Sequence, residues 1–261
     1  MHRNKKRFGQ NFIKDSNLIN KIVELAEVNN KNILEIGPGR GALTKPLISN
    51  AKKYLAYEID YTLKPILEKF KSDNTNFYFK DFLSNSTSDE IDAYFNNEDV
   101  YLVSNLPYNI TTPVIFKFFE LKNLKEATLM VQKEVGERMI SNVGNANYSS
   151  FTVVLNYYVE VTKLLDVNRN MFKPVPKVDS VVVKLTKKEE RLPINIENIF
   201  LKLIKQSFIH RRKKLINNLE NFNNHSKEDI IKYFIKLKFN ENIRAQELKL
   251  EDYINLAHLL A

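Results

Sequence analysis

The sequence predicts an α/β fold with a mostly parallel seven-stranded sheet, followed by a small C-terminal all-helical domain. Three observations predict it. Short β-rich runs alternate with longer helical patterns from Lys31 to Leu185, a glycine-rich turn follows the first run directly, and no convincing strand occurs after Leu185.

Asn17 to Ala26, with a cap at Asp15 or Ser16, reads as a helix ahead of the sheet. The strand candidates, rich in branched and aromatic residues, are Asn32 to Ile36, Lys53 to Ile59, Asn76 to Phe79, Val100 to Ser104, Glu126 to Val131, Thr152 to Tyr158 and Asp179 to Leu185. Between them, Ala42 to Ser49, Leu63 to Lys71, Thr112 to Glu120 and Lys133 to Ile140 carry helical patterns. The polar stretch TKKEERLPIN then marks a boundary, giving domains 1–186 and 187–261. Helices follow at Ile199 to Leu219, Ser226 to Leu237 and Leu250 to Leu259, the second opened by a Ser226 cap with Asp229 three residues on.

A chain of 261 residues, 43% hydrophobic, can bury a sizeable core. The absence of Cys excludes disulfides and thiolate chemistry, and fits a reducing compartment. No apolar stretch reaches the roughly 18 residues of a membrane helix and the N-terminus has no secretory signal, so a cytoplasmic protein without membrane contact is expected. The four His are scattered without ligand-like spacing, and no metal site is expected.

The formal net charge is +9 and the pI about 9.4, which invites a polyanionic partner. Bulk charge is weak evidence in a chain with 31 Lys and 32 Asn, a composition that an AT-rich genome produces unaided. Placement is more telling. Residues 1–7 carry four basic side chains and no acid, residues 8–186 carry 21 of each sign, and residues 187–261 carry 15 basic against 10 acidic. Within the last segment, Arg211, Arg212, Lys213 and Lys214 form the densest run, a candidate nucleic-acid face.

The first strand runs into Gly37-Pro-Gly39-Arg-Gly41, where glycines let the backbone turn sharply and approach a ligand. Alone, this spacing fits a tight strand-to-helix turn equally well. Its company lifts it: Glu58 ends the second strand and can accept ribose hydroxyls, Asp81 ends the third and can accept from an adenine amine, and Asn105 ends the fourth. Four successive strands thus deliver polar groups to the carboxyl-end rim where open α/β sheets bind ligands. There is no GxxxxGK[ST] motif, so phosphoryl transfer has no cradle.

Asn105-Leu106-Pro107-Tyr108 resembles the signature of S-adenosylmethionine-dependent methyltransferases that modify amino nitrogens. Further matches are Arg7-Phe-Gly-Gln-Asn-Phe12, Glu35-Ile-Gly-Pro-Gly39, Val131-Gln-Lys-Glu-Val135 with Arg138, Phe172-Lys-Pro-Val-Pro-Lys-Val-Asp-Ser180, and Phe208-Ile-His-Arg-Arg-Lys213. Together they resemble the ribosomal RNA adenine dimethyltransferases, in the form acting on small-subunit (16S) RNA. The resemblance implies a Rossmann-like methyltransferase domain and a helical RNA-docking domain. It implies S-adenosyl-L-methionine as cofactor, with Asn11 and Ile13 closing over it, Gly37 and Gly39 beside it, Glu58 at its ribose and Asp81 at its adenine. Ile13 stands where the family usually has Leu, a volume-conserving change.

The implied reaction dimethylates two adjacent adenosines near the 3′ end of 16S rRNA in a small-subunit precursor, with the protein acting as a monomer. Asn105 and a carbonyl of Leu106 or Pro107 would accept the amine hydrogens, and Tyr108 would stack on the base with Phe172 on its opposite face. The rivals are a large-subunit RNA dimethyltransferase, or an assembly or transcription factor that keeps the fold without turnover.

Overall fold

The structure, a computed structural model, describes residues 11–261. The basic residues 1–7 and the Arg7–Gln10 part of the first motif lie outside them. The chain forms two compact units: one holds residues up to Gly136 together with Val161–Lys187, the other Glu137–Glu160 with Lys188–Ala261.

In the first unit, β1 (Phe12–Ile13) precedes α1 (Ser16–Leu25), whose N-terminus is capped by Asp15 accepting from Leu18 N at 2.8 Å. There follow β2 (Asn32–Ile36), α2 (Thr44–Asn50), β3 (Lys53–Tyr57), α3 (Lys64–Leu67), β4 (Thr75–Tyr78), α4 (Thr87–Phe95), β5 (Val100–Asn105), α5 (Thr111–Glu120) and β6 (Leu124–Gln132). α6 (Lys133–Met139), which runs into the second unit, and α7 (Ser150–Tyr158), which belongs to it, lead back to β7 (Val159–Val167), β8 (Phe172–Lys173) and β9 (Ser180–Lys187). The main sheet has seven strands in the order β4-β3-β2-β5-β6-β9-β7, while β1 and β8 form a small antiparallel pair.

Pairing is parallel from β4 through to β6 and antiparallel between β6 and β9. Every residue of β2 is buried, as expected of a central parallel strand covered on both faces. The chain runs outward from β2 through β3 to β4, then returns to place β5 on the other side of β2. That reversal puts a crevice at the carboxyl ends of β2 and β5.

One strand expectation is overturned. Thr152 to Tyr158 is helical, the body of α7, and the seventh strand is the following Val159–Val167. Its Val and Tyr residues favour strands locally, but Ser149 and Thr152 cap a helix, with Ser149 N donating to Thr152 Oγ1 at 3.2 Å. Tertiary packing settles the matter: Val153 and Tyr157 enter the second unit's core beside Phe200 and Leu203. For the same reason residues 137–160 belong to the second unit, so the division differs from a single cut after residue 186.

The second unit adds α8 (Ile194–Ser207), α9 (Leu215–Asn218), α10 (Lys227–Lys236) and α11 (Leu250–Leu259). The helix expected from Ile199 to Leu219 is therefore broken. Asn218 stabilises the break, its Nδ2 donating to the carbonyls of Ser207 at 2.8 Å and His210 at 3.2 Å. At the start of α10 the Ser226–Asp229 capping box forms as the sequence predicts.

Candidate active site

The crevice is lined by Asn11, Phe12 and Ile13, the loop after β2, Glu58 and Ile59 after β3, Asp81 and Phe82 after β4, and Asn105 to Tyr108 at the end of β5. The glycine loop is shaped by positive φ, +67° at Gly37 and +60° at Gly39. Gly37 N donates to Tyr57 O at 2.8 Å, extending the β2–β3 ladder into the loop. Space is the second constraint at Gly39, where a Cβ would sit 2.8 Å from Phe12 Cε1.

Glu58 is buried, and both its oxygens receive backbone donors: Gly39 N reaches Oε2 at 3.0 Å and Asp60 N reaches Oε1 at 2.8 Å. Burial pushes its carboxyl above the ordinary value, and the backbone N–H groups of Asp60, Gly39 and Ile59 oppose that shift. A carboxylate has about four acceptor positions, so Glu58 keeps acceptor capacity toward the crevice. Asp81 is exposed and Oδ1 accepts from Leu83 N at 2.9 Å, fixing the turn at the crevice mouth.

At the end of β5, Asn105 Nδ2 donates to Asn11 O at 3.1 Å, which sets the orientation of the amide, with its oxygen as acceptor. Leu106 N donates to Met130 O at 3.3 Å, while the Pro107 carbonyl accepts from Ile110 N at 3.1 Å and Thr111 Oγ1 at 3.5 Å. Tyr108 OH lies 3.0 Å from Ser180 Oγ.

Phe172 is not in the crevice. It is 1% exposed, because β8 pairs with β1 in the register Ile13 to Phe172 and turns the ring into the core with Leu18 and Ile22. The structure thus does not bring Phe172 together with Tyr108 at the crevice. Ile13, in the same core, does line the crevice.

Two lining groups are missed by the sequence reading. Glu35 is buried near the end of β2, with Tyr54 OH and Thr44 Oγ1 donating to Oε2, the latter at 2.8 Å. Burial, opposed by those hydroxyls and reinforced by the charge of Glu58, pushes its carboxyl up to about 7. The available signal is an acid set between Leu34 and Ile36 in a strand run. Ile59, beside Glu58, is 52% exposed and offers an apolar edge.

The basic run lies in the second unit, in the turn after α8 and not on a helix. Arg212, Lys213 and Lys214 are exposed. Arg211 instead braces the turn, with Nε donating to Gln246 Oε1 at 2.9 Å and Nη2 donating to the carbonyls of Asn145 and Ala146. Among the described residues there is no group of three His, Cys, Asp or Glu that could hold a metal, and no helix is long and apolar enough to cross a membrane.

A seven-stranded sheet with one antiparallel insertion, a glycine loop after its central strand, an acid after the next and an Asn-x-Pro-aromatic rim define a Rossmann-like methyltransferase. The solved structure of a dimethyladenosine transferase from Plasmodium falciparum is 30% identical, with a TM-score of 0.77 over 94% of this chain and 95% of that one. A 23S rRNA methyltransferase, ErmE, is 25% identical, with a TM-score of 0.71 over 95% of this chain and 99% of that one. The ribosomal RNA adenine dimethylase family matches residues 1–261, and the chain belongs to it. A curated relative, ribosomal RNA small subunit methyltransferase A of Aster yellows witches'-broom phytoplasma, is 45% identical over 98% of this chain and 95% of its own length. The protein of the same name from Staphylococcus haemolyticus is 38% identical over 97% and 88% respectively.

Proposed function

We propose that the chain transfers methyl groups from S-adenosyl-L-methionine to the exocyclic amines of two adjacent adenosines near the 3′ end of 16S rRNA, in a late small-subunit precursor. The carrying observation is that Asn105, Leu106, Pro107 and Tyr108 line the same crevice as the glycine loop and Glu58. The small-subunit substrate is favoured by the names of the relatives at 38–45% identity, while ErmE stands at 25%.

The crevice fits the cofactor. Glu58 would accept from its ribose, Gly37 and Gly39 would lie beside its methionine part, Asp81 would accept from its adenine amine, and Asn11 and Ile13 would close over it, all of them lining the one crevice. When bound, the cofactor supplies an electrophilic methyl on a cationic sulfur.

The protein's own residues make a poor nucleophile react. An adenine amine is planar because its lone pair is delocalised into the ring. Acceptors for its two hydrogens draw the nitrogen toward tetrahedral geometry and localise that pair. Asn105 offers its side-chain oxygen. The carbonyl of Leu106 is the second acceptor, since that of Pro107 is engaged by Ile110 and Thr111. The amine loses its proton to water after each transfer, and no buried general base is needed. Tyr108 supplies a ring for the extruded base, a contact of about 1–3 kcal/mol. Phosphate contacts come from Arg212, Lys213 and Lys214.

Mass mapping of adenosines after incubating the protein and cofactor with undermethylated small subunits tests the reading. Two adjacent dimethyladenosines are expected with the wild type and none with Asn105→Ala. Methylation of large-subunit RNA instead would move the assignment to the other branch of the family, and an unaffected Asn105→Ala variant would refute the mechanism.

A further inference from the structure

Ser180 opens β9 opposite Gln132 of β6 and is fully buried. Among the described residues its hydroxyl has one hydrogen-bond partner, the Tyr108 OH at 3.0 Å. Its neighbours in the chain are held independently: Asp179 O accepts from Lys133 N at 3.0 Å, and the Asp179 carboxylate accepts from Arg169 N at 3.0 Å. The Ser180 side chain is thus not needed to secure the strand end. It is a fixed point offered to Tyr108.

Tyr108 needs such a point. It follows Pro107 in a turn closed by the Ile110 N to Pro107 O hydrogen bond, and its half-buried ring stands on the crevice rim beyond the end of β5. A ring held only at Cα tilts about two torsions, whereas one tied at its far oxygen does not. With Phe172 in the core, the structure brings no second wall from that residue to steady a base. The same ladder also holds the amine-recognising end of the segment, since Leu106 N donates to Met130 O and Met130 lies opposite Val182.

We infer that Ser180 is a positioning residue, fixing the tilt of the Tyr108 ring so that a base stacked on it presents its amine to Asn105 and Leu106. The inference rests on the methyltransferase reading above. Burial pushes the Tyr108 phenol above its ordinary value, so the hydroxyl pair is neutral and the tie is an ordinary hydrogen bond.

A double-mutant cycle with Ser180→Ala and Tyr108→Phe tests it, each change deleting one hydroxyl and leaving the ring in place. Single-turnover methyl transfer to small-subunit RNA, at saturating RNA and cofactor, should slow by about three- to tenfold in each variant. The double variant should be no slower than the slower single one. Cofactor affinity, read by calorimetric titration, should match the wild type. Losses that multiply in the double variant, a Ser180→Ala rate equal to wild type, or a defect confined to cofactor affinity or thermal stability would overturn the inference. A wild-type chain that binds cofactor and methylates no RNA would overturn the underlying reading, and the positioning role with it.

Discussion

The backbone N–H of Gly39 donates to the Glu58 carboxylate across 3.0 Å, linking the loop after β2 to the acid after β3. The two halves of the cofactor cradle are therefore a single hydrogen-bonded piece. A change at Glu58 thus disturbs the glycine loop as well as the group proposed to accept from the ribose.

Glu58→Ala leaves the N–H groups of Gly39 and Asp60 without their acceptor. At about 1–3 kcal/mol for each buried unsatisfied donor, a stability loss of about 2–4 kcal/mol is expected in urea unfolding. Glu58→Gln keeps one acceptor oxygen. It should cost less stability yet weaken cofactor binding by about tenfold or more, because a hydrogen bond to a charged group is lost. Equal cofactor affinity in Glu58→Gln and wild type, by titration calorimetry, would remove Glu58 from the binding set.

Two glycines separate backbone strain from crowding. Gly144 has φ of +82° with nothing within 4 Å of a notional Cβ, whereas Gly39 has φ of +60° and would place its Cβ 2.8 Å from Phe12 Cε1. Gly144→Ala should cost only the left-handed backbone penalty of about 1–2 kcal/mol and leave cofactor affinity intact. Gly39→Ala carries the same penalty and must also displace Phe12, so its cofactor affinity should fall. Matching stability and affinity in the two variants would contradict the crowding argument.

The raised carboxyl of Glu35 sets a pH dependence. Its ordinary value is 4.5 and burial moves it to about 7 in the fold, so folding takes up a proton between those values. The associated stability is fully present below the ordinary value and is lost as pH rises through about 7. The loss should amount to about 3 kcal/mol from this group. Glu35→Gln cannot ionise and keeps an oxygen for Tyr54 and Thr44. Its unfolding free energy at pH 8 should exceed that of the wild type, with the gap closing toward pH 5; parallel pH profiles would show that Glu35 titrates normally.

Within the basic run, two kinds of arginine can be told apart. Arg211→Ala removes hydrogen bonds to Gln246, Asn145 and Ala146, and should destabilise the second unit by about 1–3 kcal/mol. Changing Arg212, Lys213 and Lys214 together to Gln should alter stability by less than about 0.5 kcal/mol. It should instead weaken RNA binding and lower the salt slope of affinity by about 2. Filter binding at several salt concentrations distinguishes the outcomes, and an unchanged slope would reduce the basic run to a solvated surface.

The rim is legible in the sequence because strand ends are local events. Glu58 and Asn105 follow runs of strand-forming residues, and the topology alone then brings their ends together. Phe172 is not legible in that way: its burial depends on pairing with Ile13, far away along the chain. Thr152 to Tyr158 misleads for a related reason, since the β-branched and aromatic side chains that favour strands also fill a helical core when the partners, such as Phe200, come from a distant segment. In Ile199 to Leu219 the apolar spacing continues across a break stabilised by Asn218, a polar residue whose role shows only in its hydrogen bonds to Ser207 and His210. Arg211 belongs to the same class. A guanidinium is counted as surface charge until its acceptors are visible.

The inclusion of residues 137–160 in the second unit means that the chain passes between the units three times, after Gly136, after Glu160 and after Lys187. The helical unit is therefore not a tail that recombination could exchange with one crossover. A graft onto another methyltransferase core would have to bring both segments at once, and a fragment stopping at Lys187 would be made with α7 orphaned from Phe200 and Leu203. The two units are in this sense inherited together.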